Sequence, residues 1–486
     1  MKKLREITEK KPWLNWIFFL ITVSAVFMLG WFASTIMERK AESQLYFQQA
    51  KPIADWEPRN DVWGQNFPRE YETFMSTLDT SFKSKYGGSA TRDYLEDAPE
   101  LCVLWSGYAF SKDYKQARGH GHAIEDIRAT LRTAQPQPGT CWSCKSPDVP
   151  RLINKMGAEK FYSTKWKDLG KEVVNSIGCQ DCHDPKTMNL KITRPALVEA
   201  YRRQGKDINK ATHQEMRSLV CAQCHVEYYF KGEGKYLTYP WDKGMDVDSM
   251  EKYYDEVNHV DFVHGMSKTP ILKAQHPDYE LFTMGVHADR NVACADCHMP
   301  YKREGAVKFS DHKIQSPLNN ISGSCAVCHR ESEEKLRNNV YQRQDKIAQL
   351  LKTAQQQLMI AHLLAKGAWD CGATENEMKP ILTLIRHSQW RWDFVAASNG
   401  MGFHAPLEAA RILAGSIQRS MEARILLTEI LLKKVCKFPN ISPDIATKAK
   451  AQEFIGLDMK KIQADKDEFN KKVLPEWVKN SPVVKK

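Results

Sequence analysis

The hydrophobic pattern of the chain changes character along its length. From Trp13 to Ile36 the residues are almost continuously apolar, and the run closes on Glu38-Arg39-Lys40. Roughly 20 apolar residues cross a bilayer as one helix, so this stretch predicts a membrane-length helix. A cleaved signal peptide has an apolar core of roughly 7–15 residues and a small-residue cleavage site. Phe32-Ala33-Ser34 is a weak site of that kind, so an uncleaved anchor over 13–36 is favoured. Lys2, Lys3, Arg5, Lys10 and Lys11 precede the run. Positive charge stays on the cytoplasmic side, which leaves residues 1–12 in the cytoplasm and exports the rest.

Residues 41–100 read as a polar connector with aromatic anchors at Trp56, Trp63, Phe67, Tyr71 and Phe74. Residues 101–330 are loop-rich, with short helical stretches interrupted by Gly and Pro. In 331–486 a helical period takes over. Ile347, Leu350, Leu351, Ala354, Leu358, Ala361, Leu364 and Ala365 recur at spacings of three and four within a helix predicted over Lys335–Lys366. Two more are predicted over Glu377–Ser398 and Pro406–Lys434. No block alternates with period two. The expected fold is therefore mainly α, with few strands and long C-terminal helices.

Cysteine usage decides what fills the middle region. Of 13 cysteines, ten form five C-x-x-C pairs, and Cys102, Cys371 and Cys436 are left over as buried or incidental thiols with no assigned role. Four pairs continue directly into histidine: Cys179-Gln-Asp-Cys182-His183, Cys221-Ala-Gln-Cys224-His225, Cys294-Ala-Asp-Cys297-His298 and Cys325-Ala-Val-Cys328-His329. This is the attachment motif of c-type haem: two thiols bind the vinyl groups and the next imidazole ligates the iron. Composition alone gives roughly 0.01 occurrences by chance. Structural zinc would accept paired cysteines but does not explain a histidine in the same place four times. Redox disulfides come singly rather than in series. The loop-rich region is thus expected to be a compact multihaem core.

Charge agrees. Lys+Arg is 70 and Asp+Glu is 59, a formal +11. Five haems carry roughly ten propionate charges, which nearly balance the excess, so the basic character calls for no nucleic acid.

The fifth pair is different: Cys141-Trp142-Ser143-Cys144-Lys145. An ammonium cannot ligate iron, so Lys145 must lose its proton, as burial and metal binding favour. A haem treated unlike its four neighbours is the natural place for chemistry. A lone C-x-x-C with no haem is the plainer alternative.

This motif, followed in order by the four C-x-x-C-H motifs, resembles the pentahaem cytochrome c nitrite reductase family. Further matching stretches are Arg118-Gly119-His120, Val226-Glu227-Tyr228-Tyr229-Phe230, Lys273-Ala274-Gln275-His276-Pro277, Asp311-His312-Lys313-Ile314 and Gln389-Trp390-Arg391-Trp392-Asp393. The likeness runs from about Leu101 to Trp477. It implies a six-electron reduction of nitrite to ammonium at a haem held by Cys141 and Cys144 and ligated by Lys145. It implies four bis-histidine haems in which His120 serves Cys221/Cys224, His287 serves Cys325/Cys328, His312 serves Cys179/Cys182 and His404 serves Cys294/Cys297. The distal pocket is implied to hold Arg132, Tyr228 and His276. Arg132 carries a permanent charge for an anion, and His276 is expected to pass protons near neutral pH. From sequence alone Arg128, one turn earlier, is an equal candidate for the arginine.

The resemblance also implies calcium bound by the side chains of Glu227 and Gln275 and the carbonyls of Tyr228 and Lys273, all hard oxygen donors. It further implies a homodimer through the C-terminal helices (331–486), a catalytic core over 101–330 on the periplasmic side of the membrane, and a separate quinol-oxidising multihaem cytochrome as electron donor. Two other readings stay open: a related reductase of hydroxylamine or sulfite, and an electron conduit with every iron saturated. His122, His213, His259 and His264 read as ordinary surface or core residues. His362 and His387 read as packing or hydrogen-bonding groups.

Overall fold

The computed structural model describes residues 11–45, 49–134 and 137–481. The basic segment 1–12, apart from Lys11 and Pro12, lies outside the described residues, as do Gln135, Pro136 and 482–486. The chain divides into two units, 1–52 and 53–486.

In the first unit, helix α1 (Trp13–Leu45) contains the apolar run. Its stretch Trp13–Glu38 is long and apolar enough to cross a membrane, and none of it is buried within the protein. Length and composition alone would suit an anchor and a signal sequence equally.

The second unit is mainly helical. Among the described residues its strands are confined to three two-stranded antiparallel ribbons: β1 (Tyr229–Lys231) with β2 (Tyr236–Thr238), β3 (Phe262–Val263) with β4 (Pro270–Ile271), and β5 (Tyr301–Glu304) with β6 (Val307–Ser310). Trp63 and Phe74 are buried in this unit, so the chain from Ile53 onward packs with the rest.

Three long helices follow, α2 (Glu333–Asp370), α3 (Glu375–Ala396) and α4 (Pro406–Lys433), before shorter helices end the described chain. Each starts on a recognisable signal. The Ser332 hydroxyl accepts from Lys335 N. Thr374 and Glu377 form a reciprocal capping box, and Pro406 occupies the first turn of α4. Such side chains satisfy or remove the unpaired N–H groups of a helix start. Ala361, Leu364, Ala365 and Ala368 of α2 meet Met378, Ile381 and Ile385 of α3 and Ala423, Leu427 and Leu431 of α4. Between α3 and α4, Ser388 Oγ donates to Ser416 O at 2.7 Å and Ser416 Oγ donates to Ser388 O at 2.8 Å. This reciprocal clamp requires small residues on both helices.

Two of the cysteines read as free thiols are joined instead. Cys371, after α2, and Cys436, after α4, form a disulfide with a Cα–Cα separation of 6.2 Å. The sequence could not reveal it, because 65 residues and helices α3 and α4 separate the partners. Cys102 is a buried core residue, as expected.

The larger core is aromatic. Trp105, Trp142, Trp166, Trp241, Trp390 and Trp392 are all fully buried. Trp142 stacks on Trp166 with centroids 4.8 Å apart and donates its Nε1–H to Trp166 O at 3.1 Å. This anchors the odd motif: Trp142 is committed to the core, while Cys141, Cys144 and Lys145 keep partial exposure on the same turn.

Closing a loop of this length removes chain entropy worth on the order of 4 kcal/mol from the unfolded state. The double variant Cys371→Ser, Cys436→Ser should therefore unfold at a clearly lower temperature than the parent. An unchanged thermal midpoint would show that the cross-link contributes no stability.

Candidate functional site

The motif cysteines sit on short turns, Cys179–Cys182 and Cys294–His298 being single turns of helix. Residues three apart share a helix face, so each turn presents both thiols to one side. The residues between the cysteines bind one motif to the next. Arg194, fully buried, donates to Asp181 Oδ1 at 2.6 Å, to Ser143 O at 2.8 Å and to Ser146 O at 3.0 Å. Gln223 Nε2 donates to Asp181 O at 2.8 Å. Arg217 Nη2 donates to Asp296 Oδ1 at 2.8 Å. Four of the five pairs are thereby tied together through their variable positions. Cys144 lies against Cys224 and Cys221 against Cys294, close enough for each thiol to perturb its neighbour. The site at Cys221/Cys224 thus stands between Cys141/Cys144 and Cys294/Cys297.

The histidines expected to pair do come together. Ring centroids are 6.2 Å apart for His120 and His225, 6.2 Å for His183 and His312, 6.3 Å for His287 and His329, and 6.4 Å for His298 and His404. A ring nitrogen lies about 1.1 Å from its centroid and about 2 Å from a bound first-row metal, so two imidazoles on one ion stand roughly 6.2 Å apart. The four pairs fit iron held between them.

A fifth pair shows the contrast. His264 and His362 stack directly at 3.8 Å and 13°. His264 Nε2 donates to Val103 O at 2.8 Å, Ser267 N donates to His264 Nδ1 at 3.1 Å, and Gln389 Oε1 lies 2.7 Å from His362 Nε2. Both rings are saturated by protein and too close for an ion between them. Burial holds both below the usual histidine range.

Around Cys141 and Cys144 the structure gathers the remaining predicted residues. Lys145 is half-buried, and its amino group makes no hydrogen bond or ion pair among the described residues. Arg132 Nε donates to Thr130 Oγ1 at 3.1 Å, and the guanidinium lies over the Phe110 ring at 4.3 Å. Its Nη atoms have no protein partner among the described residues. Arg128, the equal candidate by sequence, is committed elsewhere. Its Nη2 donates to Gly170 O at 3.0 Å and Val173 O at 2.9 Å, and it stacks on Trp477 at 5.4 Å.

Tyr228 keeps its phenol proton, because burial and then the nearby Cys144 push its pKa well upward. His276 differs from the sequence expectation. Burial first, then the Lys145 cation, lower its pKa to about 3, so the imidazole is neutral at ordinary pH. Desolvation is the larger cause, and a deprotonated Lys145 does not remove it.

Behind this pocket, buried oxygens converge. Glu227 is fully buried and accepts from Tyr254 OH at 2.9 Å and Gln275 N at 2.6 Å. The Gln275 side-chain amide reaches Lys273 O at 3.2 Å. Burial raises the Glu227 pKa well above normal, with Glu280 and Asp261 adding like charge. No group of three or more His, Cys, Asp or Glu side chains converges as a metal site among the described residues. One carboxylate amid amide and backbone oxygens, with no basic side chain bonded to it among the described residues, suits a hard cation such as calcium.

Lys273 also fixes the loop that carries His276. Its Nζ pairs with Asp393 at 2.9 Å with both groups buried, and Asp393 accepts Ala274 N at 2.7 Å. The same ammonium lies 4.9 Å from Phe110, the ring that also carries Arg132. The sequence offered no signal for Phe110, Asp393 or Arg194 in these particular roles.

A profile of the cytochrome c552 family matches residues 59–484. The cytochrome c-552 of Bacteroides thetaiotaomicron is 56% identical over 479 residues, 97% of either chain. That of Porphyromonas gingivalis is 54% identical over 480 residues, 97% of this chain and 96% of its own. Among solved structures, a cytochrome c nitrite reductase catalytic subunit from Desulfovibrio desulfuricans ATCC 27774, described with two calcium sites, superposes with a TM-score of 0.75. It is 31% identical and covers 90% of this chain and 96% of its own.

The Lys273–Asp393 pair generates a direct expectation. Asp393→Asn leaves a buried ammonium without its carboxylate, and breaking such a pair costs roughly 3–5 kcal/mol. The variant should unfold at distinctly lower denaturant concentration, and an equal midpoint would mean that the pair does not hold this loop.

Proposed function

The chain belongs to the cytochrome c552 family, and from that membership we propose that it reduces nitrite to ammonium with six electrons at a lysine-ligated c-type haem fed by four bis-histidine haems. The observation that carries this reading is a contrast. Four C-x-x-C-H motifs each have a second imidazole facing them at 6.2–6.4 Å, whereas the fifth pair has Lys145 and a pocket of Arg132, Tyr228 and His276. A conduit with every iron saturated has no use for a guanidinium whose Nη atoms have no protein partner among the described residues.

Cys141/Cys144, Cys179/Cys182, Cys221/Cys224, Cys294/Cys297 and Cys325/Cys328 would hold five haems c. His183, His225, His298 and His329 would ligate from one side, and His312, His120, His404 and His287 from the other. When bound, a haem at Cys141/Cys144 supplies an open iron position and the electrons that nitrite takes up. Arg132 draws the anion in and donates hydrogen bonds to its oxygens. His276, neutral, orients the same oxygens, and the Tyr228 phenol lends a proton. A calcium ion at Glu227, Tyr228, Lys273 and Gln275 would lock Tyr228 and His276 to one framework. The same pocket suits hydroxylamine or sulfite as lesser substrates.

We place the catalytic unit on the periplasmic side of the membrane, anchored by the helix through residues 13–36. The Cys371–Cys436 disulfide suits an oxidising compartment. Met421, Ile425 and Leu432 expose apolar side chains along α4, which supports a homodimer through the C-terminal helices. Electrons would come from a separate membrane cytochrome that oxidises quinol.

Purified holoprotein given a low-potential dye and nitrite should yield one ammonium per nitrite, and release of nitric oxide as the end product would refute the reading. Arg132→Ala should raise the nitrite KM on the order of 10- to 100-fold, the worth of a charge-assisted hydrogen bond. His276→Ala should lower kcat on the order of 10²-fold or more. Because His276 is neutral across that range, its loss should be similar from about pH 5 to 9. Arg128→Ala should leave KM near the parent value. A KM rise in Arg128→Ala instead of Arg132→Ala would reverse their assignment.

A further inference from the structure

The four C-x-x-C-H histidines are not supported alike. His183 Nδ1 faces Met188 O at 2.8 Å and His298 Nδ1 faces Gln315 O at 2.8 Å, both neutral backbone carbonyls. On the opposite side of its pair, His312 Nδ1 likewise faces Ser310 O at 2.8 Å. His329 Nδ1 has no hydrogen bond among the described residues. His225 alone of the four faces a carboxylate: Asp278 Oδ2 stands 3.4 Å from its Nδ1.

That carboxylate is built in. Asp278 is buried, and Asn399 holds both its oxygens, through N to Oδ1 at 2.7 Å and through Nδ2 to Oδ2 at 2.8 Å. It has no lysine or arginine partner among the described residues, so its charge acts on the histidines around it, most directly on His225, which it faces, and next on His404. The backbone fixes the approach, since Tyr279 N donates to His225 O at 3.1 Å. The position matters as well. Cys224 lies against Cys144, so the His225 site adjoins the Lys145 pocket, and Asp278 follows His276 by two residues.

We propose that Asp278 is a positioning and tuning residue that lowers the reduction potential of the haem at Cys221/Cys224 relative to the other bis-histidine haems. The inference rests on the haem assignment given above. A carboxylate on the outer nitrogen of a ligating imidazole makes that ligand more electron-rich and stabilises the ferric over the ferrous state. The haem that hands electrons to the pocket is thereby the one least inclined to keep them.

The test is spectroelectrochemistry of the holoprotein with covalent haem counted in parallel. Asp278→Asn keeps the shape and removes the charge. It should shift the reduction equilibrium of one low-spin haem at least tenfold toward the ferrous state, about 59 mV for a one-electron couple, with a smaller shift at the Cys294/Cys297 haem, whose His298 and His404 also feel Asp278, and the other three nearly unmoved. Asn399→Leu should move the same midpoint the other way, because Oδ2 loses its competing donor and turns more charge on His225. This variant decides the matter should Asp278→Asn fail to mature. Five intact haems with unchanged midpoints in the variant obtained would overturn the proposal. A parent protein with fewer than five covalent haems would instead overturn the haem assignment beneath it, a failure the haem count shows separately.

Discussion

Two imidazoles held apart at one metal ion's width form the constraint on which the rest of this structure depends. The spacing recurs four times within 6.2–6.4 Å, between histidines separated by 42 to 129 positions. Side chains so distant in sequence keep one separation only if their backbones are fixed. The polar residues inside the motifs help to do this. Asp181, Gln223 and Asp296 do not contribute to the attachment pattern itself, yet they carry the bonds through Arg194, Gln223 and Arg217 that lock one motif to the next. The directly stacked pair His264–His362, saturated by Val103, Ser267 and Gln389, shows what the same residue type does when packing alone sets the distance.

The pocket depends on the same economy of shared supports. Phe110 carries two cations, Arg132 and Lys273, and Lys273 is neutralised by Asp393 from α3. The long C-terminal helices are therefore more than a cover for the core, since α3 reaches the loop that bears His276. Glu227 links that loop to Tyr228 from the other side. Arg132, Tyr228 and His276 thus share their supports rather than standing on separate ones.

Much of this was legible in the sequence. The long helices fall within a few residues of the periodic segments, because Ser332, Thr374 and Pro406 mark their starts. The attachment motifs are local and needed no fold. The pairing of His120, His287, His312 and His404 came from resemblance, because spacing along the chain carries no information about contacts across it. What remained hidden is long-range. The Cys371–Cys436 disulfide closes over two helices. The choice between Arg128 and Arg132 turns on backbone carbonyls at Gly170 and Val173 that no motif announces. The neutrality of His276 is a property of its burial beside Lys145, whereas an isolated histidine titrates near neutrality.

The central claim is that four irons lie between histidine pairs and the fifth belongs to Lys145. Crystals of the mature protein measured at the iron absorption edge test it directly. The account predicts five anomalous peaks. Four should fall midway between His120 and His225, His183 and His312, His287 and His329, and His298 and His404, and the fifth within bonding distance of Lys145 Nζ. A missing peak at Cys141/Cys144, or an iron there ligated on both sides by histidine, would contradict it.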